Sequence, residues 1–264
     1  VIDAEPTLTT SSNNTNDASG LYKSTATNTG NPTYYFRGNV ENNYVSFAGQ
    51  IWRIVRVNED GTVRIIMQDG INDNTGYAFN SYFDNYTYMY YTNSEARTTL
   101  ESWYQTNIGS KSALAKNVAS GAYYCEQAKA KYDDSYTSGS ATMTTYNKYT
   151  PDFKCSSDGN GKGLVNASVG LLSYDEVVYA GGYFAQNNSS YYLYNSAIYW
   201  WTMSPAGFAS GASSVWIANT VGGIGSSIVK YTSRRLRAVL ILNVDTQISD
   251  GDGTSENPFV VRVA

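Results

Sequence analysis

The clearest alternation of apolar and polar positions lies between residues 44 and 68. Tyr44–Phe47 and Gln50–Val57 read as strands, with Trp52, Ile54 and Val55 as their apolar positions. Asn58-Glu59-Asp60-Gly61 follows, and Asp-Gly is a favoured hairpin corner because both residues tolerate positive φ. Thr62–Gln68 returns with Val63, Ile65 and Met67 alternating against Thr62, Arg64 and Ile66. This pattern predicts that Arg53, Arg56 and Arg64 lie on the exposed side or pair across the strands with Glu59 and Asp60. The period then changes. Ala96, Leu100, Trp103, Tyr104 and Ile108 recur at helical spacing behind an N-capping Ser94, and Gly109 ends the run. Ser112–Ala130 predicts a second helix, interrupted near Gly121. Gly170-Leu171-Leu172 reads as a short buried strand. Ser173-Tyr174-Asp175-Glu176 is a capping box that opens a helix stopped by Gly181-Gly182.

The last third returns to strands. Tyr199–Met203 is strand-like, a loop of small residues follows, and Ser214–Ala218 and Ser227–Tyr231 are short strands split by Gly222-Gly223-Ile224-Gly225. An elbow, Arg234-Arg235, leads to the apolar strand Leu236–Leu242, and Phe259–Val263 is an expected edge strand. Residues 70–93, 131–163 and 183–198 are irregular and rich in Tyr, Asn and Ser. Strands, a helix, long loops, a helix and more strands make an α+β fold with the N- and C-terminal strands as neighbours. A single domain over residues 21–264 is expected, after a flexible leader at residues 1–20.

Composition narrows the chemistry. Charged residues make up 15% of the chain, against roughly 25% in an average soluble protein, so the polar surface must be built from Asn, Ser, Thr, Gly and Tyr. Tyr occurs 25 times, and Tyr offers rigid contact area with a polar tip, as binding surfaces favour. There is no His, which removes the commonest general base and the commonest zinc ligand together. Asp175 and Glu176 read as helix-start residues serving the dipole, not as a catalytic pair, so no enzymatic activity is expected. A net charge of −4 without a basic stripe argues against nucleic acid. No apolar run reaches transmembrane length, so no direct membrane insertion is expected. Cys125 and Cys155 either close one disulfide loop or remain two buried thiols. A disulfide with low charge would suit an extracellular or cell-surface protein. No cofactor is expected. Asp250-Gly251-Asp252-Gly253-Thr254, with Glu256 near, is the one stretch spaced like a calcium loop, and a plain turn accounts for it better.

Several stretches taken together resemble one family of bacterial surface domains. They are Phe47-Ala48-Gly49-Gln50-Ile51-Trp52-Arg53, Leu172-Ser173-Tyr174-Asp175-Glu176, Trp200-Trp201-Thr202-Met203-Ser204-Pro205 and Leu236-Arg237-Ala238-Val239-Leu240. The resemblance spans roughly residues 20–262 and implies a C-type-lectin-like fold, the broad fold of the formylglycine-generating enzyme. Similar domains tend to carry Leu-Arg-Pro where this chain has Ala238. The calcium-binding sugar motifs of animal C-type lectins are absent. The resemblance implies a ligand face built from loops of the last third. Some members of the wider fold are variable proteins of diversity-generating retroelements, mutagenised near the C-terminus.

The expected function is a surface-displayed binding domain for a protein or glycan; a structural cell-envelope module is the alternative. The candidate contact residues are Trp201, Ser204, Phe208, Ser210, Trp216, Ala218, Asn219, Thr220, Lys230, Tyr231, Arg234 and Arg235. Trp216 should point opposite to Val215 and Ile217 and so stand outward as the main anchor. Of the adjacent Trp200 and Trp201, one should be core and the other on the display face. Arg237, inside an apolar strand, is expected to be a salt bridge or a clamp on carbonyl groups.

Overall fold

A computed structural model describes residues 1–2, 8, 18–126, 151–155, 163–184 and 186–263. The chain is α+β. Its strands in order are β1 (Gly20–Ser24), β2 (Thr33–Arg37), β3 (Tyr44–Phe47), β4 (Gln50–Val57), β5 (Val63–Met67), β6 (Gly76–Tyr77), β7 (Tyr123–Glu126) and β8 (Gly163–Asn166). There follow β9 (Tyr183–Phe184), β10 (Tyr199–Ala209), β11 (Ala212–Ala218), β12 (Gly223–Ile228), β13 (Arg234–Arg235), β14 (Val239–Leu242), β15 (Ile248–Asp250) and β16 (Phe259–Val261). The two main helices are α1 (Glu95–Tyr104) and α2 (Tyr174–Ala180).

One sheet runs β1-β2-β4-β3-β16-β15, and β5 joins it by pairing with both β4 and β14. The second runs β6-β13-β10-β11-β12-β9, and β7 with β8 forms a separate ribbon. The expected closeness of N- and C-terminal strands is met by β16, which pairs in parallel with β3. The edge position goes to β15 instead. The β4–β5 hairpin forms where the alternation placed it. Ala48 and Gly49 turn β3 into β4, and Ser210 and Gly211 turn β10 into β11; all four have positive φ, the geometry that matches strand twist in two-residue hairpins.

α1 forms behind Ser94, whose hydroxyl accepts from Arg97 N at 3.0 Å. It buries Ala96, Leu100, Trp103 and Tyr104, with Trp103 6.3 Å from Trp52 between ring centres. Its last turn widens through Gln105–Gly109 and buries Ile108. The capping box of α2 is complete, and all seven of its residues are buried. Arg37 closes its other end by donating to the Val178 and Tyr179 carbonyls at 2.9 and 3.0 Å, cations being favourable at a helix C-terminus.

Four expectations change. Only Ser112–Ala115 is helical in the stretch 112–130, because Gly121 turns with φ 69° and Tyr123–Glu126 then alternates as a strand against β8; residues 127–130 lie outside the described residues. Gly170–Leu172 is buried but makes only a single bridge, Gly170 to Val239. β12 runs through the glycines that were expected to separate two strands. Of the expected leader, residues 3–7 and 9–17 lie outside the described residues, whereas Ile2 bridges Tyr22 and Leu8 is buried beside Tyr22, Tyr35, Phe153 and Tyr179.

Cys125 and Cys155 are disulfide-bonded, with Cα atoms 5.6 Å apart. The bond ties β7 to the segment 151–155, where Phe153 stacks on Tyr179 of α2 at 3.9 Å. Most of the insertion 131–163 lies outside the described residues.

Candidate functional site

Two of the stretches that carry the family resemblance, 172–176 and 200–205, meet at the start of α2, and they are architectural. Met203 N donates to the Leu172 carbonyl at 2.7 Å. Ser204 Oγ accepts from Tyr174 N at 2.8 Å, satisfying one of the N–H groups left open at a helix start. Glu176 caps its own helix by accepting from Ser173 N at 2.9 Å. Its other oxygen meets Arg56 Nε and Arg64 Nε, each at 3.2 Å. The Arg56 contact is an aligned hydrogen bond, whereas Arg64 Nε contributes charge proximity without that alignment. Burial alone would raise the Glu176 carboxyl; Arg64, Arg56 and the Ser173 N–H outweigh it and hold it below its ordinary value. Burial, followed by repulsion from Arg64, pushes Arg56 down to about 10.

These positions correct the expectation that Arg53, Arg56 and Arg64 face solvent or pair with Glu59 and Asp60. Arg53 and Arg64 are buried, and Arg56 is nearly so. The strand pattern shows which side a residue takes, but not that a helix from 120 residues downstream brings a carboxylate there. Arg237 is the expected carbonyl clamp: it donates to Met67 O at 2.9 Å and Leu193 O at 3.0 Å, and its guanidinium lies 4.9 Å from the Trp200 ring centre. A cleft of about 750 Å³ opens beside Glu176 and the disulfide. Its carboxylates are engaged within the protein: Asp175 accepts from Asp152 N, Asp60 from Thr62, and Glu59 from Thr29.

Five of the twelve expected contact residues are buried: Trp201, Ser204, Phe208, Trp216 and Ala218. Trp216 is 1% exposed, with Tyr174 and Phe184 edge-on to it at 5.1 and 5.5 Å. Val215, Ile217 and Ala218 are buried as well, so β11 is covered on both faces and alternation marks no outward side. Trp200 and Trp201 are both core for the same reason. Trp201 packs edge-on against Phe79 at 5.6 Å and donates from Nε1 to the Tyr77 carbonyl at 2.8 Å. The small-residue loop expected after Met203 is the second half of β10, with register shifts on either side of Pro205, and Phe208 lies in strand opposite Ser213.

Seven positions remain at least partly exposed: Ser210, Asn219, Thr220, Lys230, Tyr231, Arg234 and Arg235. They do not form one face. Ser210 sits in the β10–β11 turn and Asn219-Thr220 in the β11–β12 turn, at opposite ends of β11 and so about 20 Å apart for a seven-residue strand. Asn219 serves its own turn, with Oδ1 accepting from Val221 N and Gly223 N at 3.1 and 2.9 Å.

Lys230, Tyr231 and Arg234 do gather, and Lys230 finds its partner in a stretch from which no contact residue was expected. Lys230 Nζ lies 3.8 Å from the centre of the Phe83 ring. Arg234 lies 4.9 Å from the Tyr199 ring and 5.8 Å from that of Tyr231. Tyr82 and Tyr88 pack at 5.9 Å between ring centres, and Tyr82 is 68% exposed. The 76–90 segment is held here by Tyr77 pairing with Arg234, by Phe79 N donating to Val229 O, and by Ser213 N donating to Phe83 O. It is approached through three successive left-handed residues, Asn72, Asp73 and Asn74, a conformation that Asn and Asp tolerate best among side-chain-bearing residues. Among the described residues, no carboxylate lies within ion-pair distance of Lys230, Arg234 or Arg235. Cations stacked on exposed rings and left without counter-charges make an amphipathic surface suited to ligand contact. The Tyr-rich composition of 70–93 was the available signal, but composition does not say which loop lies against which strand.

At the expected calcium stretch, Asp252 Oδ1 accepts from Thr254 N and Oγ1 at 3.0 and 2.8 Å, and Asp250 Oδ1 from Gly251 N at 2.8 Å. These are turn-forming bonds. No group of three or more metal-ligating side chains gathers among the described residues, and no helix among them is long and apolar enough to cross a membrane.

Fold and surface together define an α+β domain with a braced core and an aromatic, cationic surface at the 76–90 and 228–235 segments. The chain belongs to the family described as a domain of unknown function, DUF6273, whose profile matches residues 60–244. No curated protein and no solved structure matches the chain. The matched stretch contains the six-stranded sheet from β6 to β13, α2 and the aromatic surface.

Proposed function

We propose that this chain is an extracellular, surface-displayed binding domain with a C-type-lectin-like fold, which takes a protein or glycan ligand on the surface made by Tyr82, Phe83, Tyr199, Lys230, Tyr231 and Arg234. The observation that carries this reading is the pairing of two unneutralised cations, Lys230 and Arg234, with at least partly exposed rings in a protein of net charge −4. Rigid aromatic side chains supply contact area at low entropic cost. The disulfide favours an oxidising compartment. If the domain is diversified as retroelement variable proteins are, variation belongs at Ser210, Thr220, Lys230, Tyr231, Arg234 and Arg235. The buried Trp201, Phe208 and Trp216 would not tolerate it.

A glycan and surface-protein array probed with the wild-type chain and with the Tyr231→Ala/Arg234→Ala double variant tests the proposal. At least tenfold weaker binding of the variant to the captured ligand is expected, as for central anchor residues. A ligand bound equally by both proteins would refute this surface as the site.

A further inference from the structure

Lys230, Arg234, Arg235 and Arg237 lie within one short stretch and serve different ends. Arg237 is buried on two carbonyl groups, and Arg235 donates from Nη1 to the Ser233 carbonyl at 2.8 Å. Lys230 is exposed and Arg234 partly so. Among the described residues, the Lys230 ammonium has no hydrogen-bond acceptor, and the terminal nitrogens of Arg234 make one bond, a solvent-exposed one from Nη1 to Ser233 Oγ. The neighbouring 72–90 segment carries two carboxylates, Asp73 and Asp84, and both are exposed and outside ion-pair distance of these cations. At physiological salt a charge is screened over about 8 Å. The net charge of −4 spread over the whole chain therefore does not cancel two local cations.

Arg234 is also held in place before any ligand arrives. The parallel pairing of β13 with β10 sets it beside Tyr199, 4.9 Å from the ring centre, and the Tyr231 ring lies 5.8 Å away. Both rings reach solvent, being 38% and 46% exposed. A planar guanidinium fixed this way loses little freedom on binding, and its fork matches two oxygens of a carboxylate or sulfate. The rings select what carries that anion. A pyranose has a flat face of C–H groups that packs on a tyrosine ring, with its polar and acidic substituents at the rim. An acidic peptide finds less here: β13 is paired on both sides, with β6 and β10, so the strand that bears Arg234 offers no free edge to a peptide backbone.

We infer that the ligand of this surface is an acidic sugar, a pyranose unit bearing a carboxylate or sulfate that meets Arg234 while its C–H face rests on Tyr199 or Tyr231. Lys230 adds attraction for the same charge. The inference rests on the surface reading given above and narrows it. The test is calorimetry on the full chain with an oligogalacturonate for the carboxylate and a carrageenan oligosaccharide for the sulfate. Each is set against its neutral form, the methyl ester or the desulfated sugar, and against an oligoglutamate of equal charge. Binding of at least one acidic sugar is expected, weakened by added salt and about tenfold by Arg234→Gln, which deletes a charge-assisted hydrogen bond. The variant should melt as the wild type does, since the side chain lies at the surface. Failure of both acidic sugars to bind would overturn the inference. So would equal binding of the neutral forms or of oligoglutamate, or indifference to Arg234→Gln. A neutral ligand captured on the array and lost with Tyr231→Ala/Arg234→Ala would overturn the acidic sugar but leave the surface as the site. A ligand bound equally by that double variant would overturn both.

Discussion

Glu176→Gln separates the charge of this residue from its shape. The amide keeps a group able to accept from Ser173 N, so the helix cap survives, but Arg56 and Arg64 lose their shared anion. The three side chains are only 5–11% exposed, so solvent screens them little. At 3.2 Å and an effective dielectric of about 20, each attraction is ~5 kcal/mol gross. Desolvation cancels much of that in the native protein. The variant keeps the desolvation of two cations and loses what offset it. Removing one partner of a buried ion pair costs about 3–5 kcal/mol. At roughly 2–4 °C per kcal/mol for a chain of this size, the melting temperature should fall by about 6–20 °C. All five tryptophans are buried, so their fluorescence reports global unfolding in urea. The wild type should also carry a pH signature. Because the folded carboxyl is held below its ordinary 4.5, ionised Glu176 favours the native state above about pH 4.5, and that contribution is lost as the pH falls through the folded value. The variant should lack this part of the acid dependence. Glu101→Gln, which breaks the half-exposed Arg97–Glu101 pair, should cost under about 0.5 kcal/mol and serves as control. A loss below about 1 kcal/mol for Glu176→Gln, or acid unfolding identical to wild type, would refute the bracing role.

Two further outcomes follow from the same structure. Trp216→Ala should lower stability by about 3–5 kcal/mol in urea, the cost of emptying a core position between Tyr174 and Phe184; a variant of native stability with altered surface binding would restore Trp216 to the ligand face. Cys125→Ser/Cys155→Ser should cost about 3–4 kcal/mol by releasing a loop of sequence separation 30, read from the urea midpoint against the wild type under oxidising conditions.

The residues that make the resemblance visible are the ones that hold the frame. Trp200 lies under Arg237, Ser204 holds the α2 N-terminus, and Glu176 gathers two arginines from the β4–β5 hairpin. Their partners are constrained in geometry, which leaves recognisable motifs. A ligand surface carries no such internal constraint. Tyr82 and Phe83 therefore left no mark beyond a Tyr-rich composition, although Phe83 packs against Lys230.

Local signals determined what is set within a few residues. Ser94 and Ser173 start helices because a hydroxyl reaches an N–H three residues on, and the 44–68 alternation makes a hairpin because its corner accepts positive φ. The tertiary structure alone decided which faces are covered. Alternation says that Trp216 and Val215 point opposite ways, but not that α2 and β9 bring Tyr174 and Phe184 against the side Trp216 takes. Burial on both faces erases the difference between inward and outward on which the outward Trp216 rested. In the same way, a basic elbow at Arg234-Arg235 is visible in the chain, whereas the Tyr199 ring beside Arg234 is brought there by the pairing of β10 with β13.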